Sequence, residues 1–211
     1  MKFTTCLAST FAALAVAHAV HAAQEPQQIF SGAIAVWHMG DAKDSAGRNS
    51  ALKTHDPVKL GVELAGAERA ASLARGGDGK AAQLDGGWLD AGQGDGGELN
   101  LTGDKFTALI RMRCPAASLW STRGVFTKGG GHDRLVFNFF SHDFDQGPEG
   151  MRLGCEIGVE GKAGLAGQVT VPVAQIGATN WHDVIVRYDG RELALFIDGV
   201  ALGRKTVSGR L

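Results

Sequence analysis

Beyond residue 32 the apolar positions fall in short runs that alternate with polar ones at a two-residue period, the pattern of strands with one buried face. Such runs cover Ala33–Met39, Lys80–Leu84, Phe106–Cys114, Gly124–Lys128, Arg134–Ser141, Met151–Glu160, Gln168–Val173, Trp181–Tyr188, Glu192–Ile197 and Val200–Val207. Their spacing, with turn residues between them, predicts an all-β sandwich. One alanine-rich stretch, Gly61–Arg75 (GVELAGAERAASLAR), is the exception and predicts a short helix. The last third is the most regular. There Asp189-Gly190 and Asp198-Gly199 separate alternating runs and predict tight hairpins, because both central residues take positive φ at low cost. The alternation puts His182, Val184, Val186 and Tyr188 on one face, and Leu193, Leu195 and Ile197 on one face of the next strand.

Composition agrees with this pattern and narrows the chemistry. The 211 residues are 44% hydrophobic and 20% charged, enough apolar content for a folded core. Glycine is abundant at 31 residues and falls in pairs and triplets such as Gly86-Gly87 and Gly129-Gly130-Gly131, as in turn-rich β proteins. A formal net charge of −1 argues against a nucleic-acid partner. The first 28 residues, MKFTTCLASTFAALAVAHAVHAAQEPQQ, hold an early lysine, an apolar stretch and small residues before a polar start. This is the layout of a secretory signal peptide over residues 1–22, followed by a linker over 23–32. No later stretch reaches the ~18 apolar residues of a membrane span, so a soluble, exported protein, secreted or periplasmic, is expected. Export would leave Cys114 and Cys155 as either a disulfide or two buried thiols; spacing does not choose between them.

The string WHDVIVRYDGRELALFIDGV resembles the late strands of the LamG-like (laminin-G-like) module, a jelly roll of the concanavalin A-like lectin/glucanase superfamily. AVWHMGDAKDSAG, GKAAQLDGGWLDAG, LNLTGDKFTALIRMR and GVFTKGG resemble its earlier segments in order, so the resemblance covers residues 33–211. It implies a concanavalin A-like β-sandwich whose final strand is missing, and hence a fragment of a longer polypeptide. More narrowly, the region from AVWHMGDAKDSAG to GKAAQLDGG is similar to the LamG-like module that accompanies bacterial fructan-cleaving enzymes of glycoside hydrolase family 32. That likeness implies a non-catalytic carbohydrate-binding or domain-packing module beside a glycosidase domain. Its partners would be a glycan, the adjoining catalytic domain of the same polypeptide, or both.

Candidate chemistry lies at four places. In GCEIGVEG, residues 154–161, Glu156 and Glu160 share a strand face, as do the carboxylates of laminarinase-type β-glucanases, so the rival function is a catalytic sandwich glucanase. Against it, residues i and i+4 of a strand have Cα atoms ~13 Å apart, where a retaining pair wants carboxyls ~5 Å apart. The acid that separates the glutamates in those enzymes is here Gly158. The bland alternative is a strand with solvated carboxylates. The loop of Asp41, Asp44, Ser45 and Gly47 is a candidate for one structural calcium ion, the alternative being an Asx-turn in which Asp44 caps its own loop. His132, Asp133, His142, Asp143 and Asp145 are metal-binding types without the spacing of a zinc site, and cap turns more readily. Trp88, Trp120 and Phe144 lie in turn-rich segments where an exposed ring can stack on a sugar; Trp37 and Trp181 read as core. A structural or adhesive interaction module without sugar binding is the third reading.

Overall fold

A computed structural model describes residues 33, 35–47, 51–55, 57–84, 88–92, 99, 101, 103–113, 123–128, 137–143, 151–162, 164–176 and 180–211. The signal-peptide and linker expectations, residues 1–32, lie outside the described residues. Among the described residues are twelve strands and one α-helix: β1 Lys53–His55, β2 Val58–Glu63, α1 Gly66–Ala74, β3 Lys80–Leu84, β4 Trp88–Asp90, β5 Phe106–Met112, β6 Arg123–Lys128, β7 Phe137–Asp143, β8 Met151–Ile157, β9 Gly167–Pro172, β10 His182–Tyr188, β11 Glu192–Ile197 and β12 Val200–Thr206. All strand pairings among the described residues are antiparallel, and the protein is mostly β as its periodicity predicts. No helix among the described residues is long and apolar enough to cross a membrane.

The chain divides into two compact units, Met1–Asn100 and Leu101–Leu211. The second is the sandwich. Its sheets run β12-β11-β10-β5 and β6-β7-β8-β9, and they meet where β9 packs on β12 and β11 and where β8 packs on β11. The core between them takes Val184, Val186 and Tyr188 from β10 and Leu193, Leu195 and Ile197 from β11. Phe139, Leu153, Cys155, Ile157, Val169 and Val171 come from the facing sheet. The β10 and β11 residues are those whose alternation put them on one face of each strand, and His182 is buried with them. Burial pushes the Cys155 thiol up to about 12, with the Glu156 charge adding to the effect, so this free cysteine is a packing residue. Cys114 lies outside the described residues.

The two Asp-Gly hairpins turn out differently. Asp198 and Gly199 take φ of 50° and 80°, a two-residue turn of the expected kind. Asp189, Gly190 and Arg191 form a three-residue connection in which Gly190 alone has positive φ, 91°. The Asp189 carboxylate accepts the amides of Arg191 (3.0 Å) and Glu192 (2.8 Å), doing by side chain what a second left-handed residue would do.

The first unit holds two two-stranded sheets, β1-β4 and β2-β3, and the helix. The short helix expected in the alanine-rich stretch is present over its later part. Residues 61–63 belong to β2, because Gly61, at φ +70°, donates its amide to the Met39 carbonyl and lets β2 pair on with β3. A Cβ there would meet the Gly40 carbonyl at 3.1 Å. The strand expected over Ala33–Met39 makes a single bridge among the described residues, Trp37 with Asp44, where the chain turns back on itself too soon for a ladder. Trp37 is half-buried and outside the core cluster.

Candidate functional site

The ribbon β1-β4 brings together residues far apart in sequence. Its register sets Lys53 opposite Asp90 and His55 opposite Trp88, and direct partners share a face with residues two along. Lys53, His55, Trp88 and Asp90 therefore occupy one side of the ribbon. The His55 and Trp88 rings stack with centroids 4.4 Å apart and planes 6° from parallel. Trp88 remains 57% exposed, as its turn-rich setting suggested. The imidazole backs one face of the indole and holds it against rotation, leaving the rest of the ring to solvent. Beside it, Asp90 Oδ1 accepts the Gly92 amide at 2.7 Å, an Asx-turn that fixes the carboxylate, while Oδ2 lies 3.8 Å from His55 Nε2. That nitrogen is shielded from solvent and makes no hydrogen bond. Lys53 and Asp90, opposite each other on the neighbouring rung, set a cationic donor and an anionic acceptor at one end of the ring pair. Trp120 and Phe144, the other aromatic candidates, lie outside the described residues.

Asp41 and Asp44 share one loop and use their carboxylates differently. Asp44 is buried, and its Oδ1 accepts the amides of Val36 and Ala46, each at 2.9 Å, tying the loop across the Trp37 bridge. This is the Asx-turn arrangement. Asp41 is exposed; its Oδ1 accepts the Lys43 amide at 3.0 Å, and Oδ2 lies 3.5 Å from Lys43 Nζ. The Lys43 amide, aided by the nearby ammonium, holds the Asp41 carboxyl below its ordinary range. Among the described residues no group of three or more His, Cys, Asp or Glu side chains is placed to hold a metal ion. Of the five zinc candidates, His132, Asp133 and Asp145 lie outside the described residues, and His142 and Asp143 end β7.

Glu156 and Glu160 do not share a strand. β8 ends at Ile157, and Glu160 sits exposed in the following turn, its amide donating to the Arg210 carbonyl at 2.7 Å. Nor is Glu156 solvated, as a plain outward strand residue would be: it is buried, with Oε1 accepting from Asn138 Nδ2 (3.0 Å) and Oε2 from Gln168 Nε2 (3.3 Å). Thr127 extends the row by donating to Asn138 Oδ1 at 2.8 Å, so a polar ladder crosses all four strands of that sheet.

The outer face of the other sheet pairs its charges and its rings. Arg111 and Arg113 lie 5.8 Å and 5.1 Å from the centre of the Trp181 ring; Arg187 and Arg204 lie 5.1 Å and 5.7 Å from that of Phe196. Arg111 binds Asp183 and Arg204 binds Glu192, both at 2.6 Å. Trp181 is thus half-buried among arginines at the start of β10, not in the core. In comparisons with known proteins, no family model and no curated protein matches this sequence. The functional reading therefore rests on the chemistry of the residues themselves.

Proposed function

We propose that this chain is the carbohydrate-binding module of a larger exported glycoside hydrolase, of the fructan-cleaving kind, and that it grips sugar on the Lys53-His55-Trp88-Asp90 face. The observation that carries the proposal is Trp88: a large ring, more than half exposed, stacked from behind by His55 and flanked by a fixed carboxylate. A sugar ring has an apolar CH face and polar edges. Trp88 offers the platform, Asp90 and Lys53 the acceptor and donor at its rim. A side chain already held in place loses little entropy on binding, which is what a weakly binding secreted module needs. The arrangement contains no group poised to attack a glycosidic bond, and the module's part is to hold substrate near catalysis carried out elsewhere in the polypeptide.

The test is a glycan array followed by isothermal titration calorimetry on the full chain and its Trp88→Ala variant. Binding to fructans is expected, weakened tenfold or more by the substitution, which is about 1.4 kcal/mol or more. An array with no glycan bound by the wild type, or a Trp88→Ala variant of unchanged affinity, refutes the proposal. A second reading, a module that packs on a protein partner, is favoured by one observation. The outer face of β5-β10-β11-β12 exposes Leu109 at 48% beside Trp181, Phe196 and their four arginines, the residue types that dominate protein interfaces.

A further inference from the structure

The first unit contains a second feature that the ribbon does not use. A cavity of about 510 Å³ opens between the loop of residues 38–45 and the segment 78–80, lined by His38, Asp41, Lys43, Ser45, Asp78 and Lys80 among others. Its lining mixes signs, with carboxylates set among ammonium groups, a hydroxyl and an imidazole. Such a wall suits neither a bare cation nor a bare anion. It suits a neutral ligand dense in hydroxyls, each of which donates to a carboxylate and accepts from a lysine.

Asp78 is the residue best placed to take such a ligand. Its Oδ1 accepts the Lys80 amide at 3.0 Å, which fixes the carboxylate, while Oδ2 accepts no hydrogen bond from a described residue. That oxygen lies against Gly40, occupying the space a methyl group on Gly40 would fill. Lys80 lines the wall beside it, its Nζ 3.3 Å from Glu63 Oε1. A glycine at position 40 is thus what allows an open acceptor to sit at the wall of the cavity.

The cavity loop is bonded to the ribbon. The Leu52 amide donates to the Ala42 carbonyl at 2.9 Å, and Lys53 then opens β1. Along this backbone route Ala42 and Trp88 are separated by on the order of 20 Å at most, within reach of a short oligosaccharide. We infer that the cavity is a second sugar subsite, in which Asp78 accepts hydroxyls of a neutral sugar unit while another unit of the same chain stacks on Trp88. The ligand of this unit is then an oligosaccharide and not a single sugar. This inference rests on the carbohydrate-binding reading above.

The experiment is calorimetric titration of the full chain with fructo-oligosaccharides of increasing length, with cello-oligosaccharides of matched length in parallel. Three proteins are compared: wild type, Gly40→Ala and Trp88→Ala. Gly40 has no positive φ, so alanine is tolerated by the backbone; it displaces the end of the Asp78 side chain and crowds the Lys80 stem, both flexible. Wild-type affinity is expected to climb with ligand length. Gly40→Ala is expected to bind the shortest ligand as the wild type does and the longest about tenfold more weakly, flattening the length dependence. Trp88→Ala is expected to weaken every length. Asp78→Asn, which keeps the shape of the side chain and exchanges an acceptor for a donor, is expected to act like Gly40→Ala and carries the test if the alanine variant does not fold. Length dependence unaltered in both cavity variants overturns the second subsite and leaves the Trp88 reading standing. Failure of the wild type to bind any ligand of either series overturns both.

Discussion

Replacing Asp44 with alanine separates the two roles that an aspartate in this loop can play. In the structure its Oδ1 accepts two amides, from Val36 and Ala46, each at 2.9 Å, and the side chain is buried. A hydrogen bond to a charged acceptor contributes about 1.5–3 kcal/mol, and an amide left unpaired in the interior costs about 1–3 kcal/mol. Both amides here are only partly buried, so water recovers part of the loss when the carboxylate is removed. The expected cost of Asp44→Ala is therefore about 2–3 kcal/mol. Asp44→Asn, which keeps an oxygen for the same amides, should cost about 1 kcal/mol. Urea unfolding of the full chain, followed by tryptophan fluorescence, reads the change, since Trp37 is bridged to Asp44 itself. The measurement is made once in chelator and once in millimolar calcium. A loop held by its own amides loses the same stability in both. A loss confined to the calcium sample refutes this account and makes Asp44 a cation ligand. A loss below about 0.5 kcal/mol in chelator shows that the two amides find other partners.

Two further substitutions test the sandwich. Burial works against charge on Asp198, yet the Asp183 amide and the His182 ring together hold its carboxyl below the ordinary value of 3.8. A depressed folded value stabilises the protein above pH 3.8 and is lost as pH falls below it, so the wild-type unfolding midpoint should fall between about pH 5 and pH 2 and that of Asp198→Asn should fall less. Parallel acid titrations of the two proteins would expose the error if their slopes coincide. At the meeting of the sheets, a methyl group on Gly203 of β12 would strike the Val169 side chain of β9. Gly203→Ala should cost about 1–3 kcal/mol by overpacking. Adding Val169→Ala should return part of that, giving a coupling of at least about 0.5 kcal/mol, and strict additivity of the two would contradict the contact.

Much of the sandwich is legible in the sequence because its strands are long enough to show a period and are bounded by turns. Glu192–Ile197 and Lys80–Leu84 run over the expected residues, and the alternating apolar positions of β10 and β11 are the buried ones. Local chemistry reaches less far. Alanine content marks the stretch that holds the short helix but not where it begins, because Gly61 serves the β2-β3 pairing. Strands of three residues such as β1 and β4 have no period to read, and their pairing depends on tertiary contacts between distant segments. Trp88 is recognisable as an exposed ring, but His55 and Asp90 acquire their roles only through the register with it. Glu156 shows the same limit in reverse: its sequence neighbours suggest solvation, while Asn138 and Gln168, on the flanking strands, cover it and provide its donors.

Where polar groups find partners bears on where a ligand can act. In the sandwich, Arg111 has Asp183, Arg204 has Glu192, His182 has Asp198, and Glu156 has two amide donors. A ligand competing for these groups must first break bonds that already exist, and its net gain is the small difference between old and new. In the first unit, among the described residues, Lys53 has no ion pair and Asp78 Oδ2 has no donor, and Trp88 is more than half exposed. Under the carbohydrate-binding proposal a sugar would displace solvent from these groups while adding its apolar face to the indole. Under that proposal, recognition is therefore cheapest on the short ribbon and its adjoining loop, where a ligand has fewer existing bonds to break than in the sandwich.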